Sequence, residues 1–144
     1  MKKGFTLVEL LAVIVILSLL MAIAIPSTMA ISAKIKLRLL NDKLTYAEKA
    51  AVLWGQDHKN CFANTCSEPG LNNCSVAGDI KTCTITLEKL AEDDYQKYDE
   101  GSNIINPADK ALVLNDCKIE LKYNKRNQTF SASVLREKNS ITCD

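Results

Sequence analysis

The chain has 144 residues, room for one modest domain rather than two, with 18 basic against 17 acidic side chains. Charge so close to balance removes the electrostatic case for a nucleic-acid binder. An ordinary composition without a fixed-period repeat excludes disordered, collagenous and solenoid classes. The averages hide an asymmetry, however, because residues 10–33 carry no charge at all.

Residues 10–25 hold a single polar side chain, Ser18. With their flanks they reach the ~20 apolar residues that a helix needs to cross a bilayer. Lys2 and Lys3 form a positive leader, which keeps the amino end cytoplasmic. Three readings compete: a cleaved secretory signal ending near Ala22-Ile23-Ala24, a permanent single-span anchor, or a more specialised segment. Two features weigh against the first two. Glu9 puts a carboxylate at the edge of the apolar stretch, where an unpaired charge costs on the order of a few kcal/mol. The apolar stretch also begins at Phe5, separated from the basic leader only by Gly4.

The string Lys2-Lys3-Gly4-Phe5-Thr6-Leu7-Val8-Glu9-Leu10-Leu11 resembles the prepilin signal of type IV pilins and of the pseudopilins of secretion and DNA-uptake machines. The resemblance covers about the first 26 residues. It implies cleavage by a membrane prepilin peptidase between Gly4 and Phe5 and N-methylation of Phe5. It also implies an assembly role for Glu9, whose carboxylate would pair with the amino terminus of a neighbouring subunit and so satisfy two buried charges at once. The competing reading of Glu9 is a helix-end residue that snorkels to lipid headgroups. Pro26 stands where many members of the family carry a helix-kinking proline. Lacking an amide hydrogen, it should kink or loosen the helix there.

Beyond Pro26 the apolar pattern becomes periodic. Ala30, Ala33, Leu37, Leu40, Leu44, Ala47, Ala51 and Trp54 follow alternating steps of three and four, with charged residues off the stripe. This predicts an amphipathic helix that buries one face, either in a coiled coil or, as we favour, on the rest of the same chain. Residues 60–84 are rich in Asn, Ser, Gly and Cys and read as a turn-rich loop. Residues 84–92 read as a short helix with Thr84 or Thr86 as N-cap and Leu87 and Leu90 buried. Residues 93–109 form a polar connection. Cys117, Ile119, Leu121 and Tyr123 alternate with charged residues, and Phe130, Ala132 and Val134 alternate with serines, which predicts a hairpin. Residues 111–114 are a candidate third strand.

Cys61, Cys66, Cys74, Cys83, Cys117 and Cys143 all follow the apolar segment, so they lie on the side opposite the positive leader, where disulfides persist. Structural zinc sites favour cysteine pairs two to four residues apart. The spacings here are C-x4-C-x7-C-x8-C, and His58 is the single histidine, so we expect disulfides and no metal. Six cysteines permit 15 connectivities, and the sequence does not choose among them. A nucleophile pair of His58 with Cys61 or Cys66 is conceivable, but a lone polar-flanked histidine is more often a surface residue or a helix cap. The acidic set Glu92, Asp93, Asp94, Asp99, Glu100 and Asp109 lacks a calcium-loop pattern and reads as solvated surface.

The expectation is an α+β protein that needs no cofactor and catalyses nothing. A long amino-terminal helix, membrane half then amphipathic half, packs on a small antiparallel, disulfide-rich head. The parts are a leader (1–4), a transmembrane and assembly helix (5–33), the amphipathic half (34–59) and the head (60–144). The resemblance implies a filament subunit. Its partners would be identical or homologous pilins, the prepilin peptidase, a membrane platform with its ATPase motor, the membrane before assembly, and possible host surfaces or DNA afterwards. A pseudopilin and a non-polymerising anchored adhesin remain as alternatives.

Overall fold

The computed structural model describes residues 6–63, 70–136 and 141–143, without the side chains of residues 23–27. The elements run α1 (Leu7–Asp57), α2 (Lys59–Ala63), β1 (Asn72–Ala77), β2 (Ile80–Thr86), α3 (Leu87–Glu92), β3 (Lys118–Asn124) and β4 (Thr129–Val134). Two compact units divide them, Met1–Lys36 and Leu37–Asp144. α1 is 51 residues long and belongs to both.

In the first unit the described apolar side chains of α1, from Leu7 to Met21 and again at Met29, Ile31 and Ile35, are exposed. In the second unit the periodic stripe meets a core. Leu40, Leu44, Ala47, Ala51 and Trp54 are buried, joined by Ala50. Leu37 is 38% exposed, and Ala30 and Ala33 are exposed too, so the buried part of the stripe starts at Leu40. The helix lies within one hydrophobic cluster with Phe62, Ile85, Leu87, Leu90, Ile104, Leu114, Ile119, Leu121 and Tyr123.

The sheet is antiparallel throughout, in the order β1-β2-β3-β4. The predicted β3–β4 hairpin is present, with Leu121 opposite Ala132 and Tyr123 opposite Phe130. Its alternation follows from one face packing on the core while Lys118 and Lys122 face solvent.

Three expectations change. Residues 60–84 are not one long loop, because β1 and β2 form a second hairpin there. Gly78, with φ +60°, takes the first position of its two-residue turn, where a type II′ hairpin requires glycine. β1 is exposed along its whole length and therefore shows no hydrophobic alternation. The short helix begins at Leu87 rather than Thr84. Thr84 sits in β2 opposite Glu120, and the Thr86 hydroxyl caps α3 by accepting from the Lys89 amide. Residues 111–114 make no strand. They contribute only the isolated bridge Ile105–Val113, because turns closed by Leu112 N–H on Asp109 C=O and by Cys117 N–H on Leu114 C=O confine them from both sides.

Candidate processing and assembly site

Gly4 and Phe5, the predicted cleavage and methylation positions, lie outside the described residues. The described chain starts at Thr6, which forms a reciprocal cap with Glu9. The Glu9 carboxylate accepts from the Thr6 amide at 2.9 Å and from its hydroxyl at 3.0 Å, and the Glu9 amide donates to Thr6 Oγ1 at 3.3 Å. This capping box satisfies amide donors at a helix start that otherwise lack partners. Glu9 is exposed, so its remaining acceptor capacity faces outward.

Ser18 turns its hydroxyl back onto Val15 C=O at 2.8 Å. The single polar side chain of the apolar run is thereby satisfied within the helix, as a polar group in an apolar setting must be. Pro26 is backbone-helical in α1, but its side chain lies outside the described residues, and so does the predicted kink. Among the described residues no helix is long and apolar enough to cross a membrane. The span expected over residues 5–33 includes residue 5 and the side chains of residues 23–27, which are not described.

In the head, polar groups tie the far end of α1 to the segment around α3. Trp54, fully buried, donates its indole N–H to Asp93 Oδ2 at 2.7 Å, and Lys89 Nζ reaches Asp93 Oδ1 at 2.8 Å. Burial alone would raise the Asp93 pKa, but the Lys89 ammonium and the Trp54 N–H together outweigh it and hold the carboxyl below its ordinary value. The Tyr95 hydroxyl donates to Asp57 Oδ2 at 2.5 Å, and that bond, with burial, pushes its pKa up to about 12. His58 stacks on Trp54 with ring centroids 4.1 Å apart, and its Nδ1 lies 2.8 Å from Trp54 C=O. Lys43 pairs with Asp99 and donates to Ile105 C=O at 2.8 Å.

Two disulfides are described, Cys74–Cys83 between β1 and β2 and Cys117–Cys143. Cys61 is disulfide-bonded as well, so it offers no thiol to His58, and Cys66 lies outside the described residues. No group of three or more His, Cys, Asp or Glu side chains suited to a metal occurs among the described residues. Of the acidic set, Asp93 and Asp99 are already paired with lysines.

Sequence reasoning missed Thr6, although Thr6-x-x-Glu9 is a capping-box pattern. It also missed the Trp54–Asp93 bond, which joins residues 39 positions apart and leaves no local trace.

Residues 1–25 match the family model of the prokaryotic N-terminal methylation motif, the type IV prepilin signal. No characterised protein and no solved structure matches the chain. The chain thus carries the signal of a pilin- or pseudopilin-like prepilin, and a membrane-anchored precursor is what that signal serves.

Proposed function

We propose that this chain is the structural subunit of a type IV pilus or a pilus-like filament. It is cut between Gly4 and Phe5 by a prepilin peptidase, N-methylated on Phe5, and polymerised through α1 by a membrane platform and its ATPase motor. The single observation that carries the reading is the prepilin signal at residues 1–25. The exposed apolar side chains of α1 in the first unit support it. Such a surface exceeds what a soluble monomer leaves uncovered. It would hold the precursor in the bilayer as a single-pass protein and pack against identical helices in an extracellular filament, so one hydrophobic effect serves both states.

In this mechanism the leader is removed before assembly, and Glu9 then meets the new amino terminus of a neighbour. The capping contacts to Thr6 keep the carboxylate at the helix start. Replacing Glu9 by Ala removes the charge complement while leaving the apolar surface intact. The expected outcome is a membrane pool of processed chain with sheared filament reduced about tenfold or more, as expected when a buried charge loses its partner. Intact surface display in Glu9→Ala, with no sheared filament from either chain, would favour a non-polymerising anchored adhesin instead.

A further inference from the structure

α1 carries charge on either side of a long uncharged run. Residues 10–33 hold none, Glu9 precedes them, and Lys34, Lys36 and Arg38 follow. Helical geometry puts about 38 Å between Glu9 and Lys34. The hydrocarbon core of a bilayer is ~30 Å thick, and the bilayer with its headgroups is ~40–45 Å. A helix that holds Glu9 at one headgroup layer therefore carries the three cations into the other.

These cations stand bare on the helix. Every residue from Ile31 to Leu39 is exposed, and the first buried side chain after them is Leu40. Among the described residues the three take part in no ion pair, not even with Asp42, the nearest carboxylate in the sequence. Lys43, Lys59, Lys81 and Lys122, by contrast, are engaged. Nor do the three share one face. At about 100° per residue, Lys34 and Arg38 point to one side of the helix and Lys36 to nearly the opposite side. The exposed apolar residues Ile35, Leu37 and Leu39 alternate with them. A docked protein would meet one side only, whereas a headgroup layer surrounds the helix. At such a surface the stems of basic side chains lie along acyl chains while their charged heads reach phosphate.

We propose that Lys34, Lys36 and Arg38 form a collar that binds the headgroup phosphates of anionic phospholipids, in the leaflet opposite the leader. The inference deepens the reading of a membrane-held precursor and rests on it. The apolar run alone fixes no depth, because sliding by a residue or two leaves it in hydrocarbon. The collar supplies that depth, and with it holds the Glu9 end of α1 at the other surface.

Bound lipid tests the collar in the full chain, reconstituted into phosphatidylcholine vesicles that also contain phosphatidylglycerol. After extraction in mild detergent, native mass spectrometry counts the lipids that each chain retains. The wild type should retain phosphatidylglycerol over phosphatidylcholine beyond their ratio in the vesicle. Lys34→Gln, Lys36→Gln and Arg38→Gln together preserve helix propensity and should cut that preference about fivefold or more. Lys34→Arg, Lys36→Arg and Arg38→Lys together keep the charge and should keep the preference. Lys2→Gln with Lys3→Gln removes the leader's own cations and should leave most of it. A wild type without preference, an undiminished preference in the Gln variant, or complete loss in the leader variant overturns the collar. So does release of the bound phospholipid by inorganic phosphate, which would mark a site for free anions. A wild-type chain that alkaline carbonate strips from its vesicles, by contrast, removes the membrane reading and this inference with it.

Discussion

Asp93 joins three side chains into one knot, accepting from the Trp54 indole on α1 and from Lys89 on α3 while His58 stacks on the same indole. Its carboxyl titrates below the ordinary value of 3.8 despite its burial. A folded-state pKa below the unfolded one means that the ionised carboxylate stabilises the fold above the unfolded value. That contribution is lost as pH falls through the folded value. Denaturant unfolding of wild type and Asp93→Asn across a pH series should therefore show a stability gap that is full near neutrality and shrinks below about pH 4. A gap that stays constant into strong acid would show that the carboxylate is not held ionised by its partners. At this scale the sequence was legible only where partners are close in the chain. The three-and-four period put Trp54 on the buried face, and Thr6-x-x-Glu9 spells a cap. Asp93 looked like one of several acids in a solvated run, because its bond to Trp54 exists only once α3 has folded back.

At the scale of elements, α1 approaches the β3–β4 hairpin closely at Gly55. A Cβ on Gly55 would sit 2.8 Å from Phe130 Cδ1 and 3.1 Å from Leu121 Cδ2. In an exposed helix, glycine to alanine gains up to ~1 kcal/mol from propensity. Here the methyl meets an aromatic ring already wedged against Phe62 and Tyr123. Gly55→Ala should thus cost about 1–3 kcal/mol by overpacking, with the sign opposite to propensity. Chemical denaturation checks it, and a stabilised variant would mean that helix and sheet part readily at this point. The amphipathic half of α1 and the β3–β4 hairpin were readable because one face of each is buried and the other wet. The β1–β2 hairpin was not. Its outer strand buries no side chain, so no alternation marks it, and the Gly78-Asp79 turn is set among Asn, Ser and Cys that resemble loop composition. The α3 boundary moved by three residues because Thr84 and Thr86 are equally good caps in composition, and pairing of β2 with β3 decides between them.

For the whole molecule, the second unit has to hold a small core under a helix whose first unit remains apolar and exposed. The disulfides supply part of that stability. Cys74–Cys83 closes a separation of 9 residues and Cys117–Cys143 one of 26. The chain-entropy relation assigns about 2.6 kcal/mol to the first and about 3.5 kcal/mol to the second. Replacing Cys117 and Cys143 together by Ala should destabilise the head more than replacing Cys74 and Cys83. The reverse order in denaturant unfolding would place the greater constraint in the β1–β2 hairpin. The cysteines announced disulfides by number and position, but their pairing depends on which strands meet, and the local sequence does not encode that.

Everything proposed for function depends on what happens at Gly4 and Phe5. The most direct measurement is the mass and identity of the amino-terminal residue of chains sheared from the cell surface. We predict a chain that begins at N-methylated Phe5, shorter than the translated sequence by its first four residues. A terminus near Ala24, or an intact Met1 on the surface protein, would contradict prepilin processing and with it the filament.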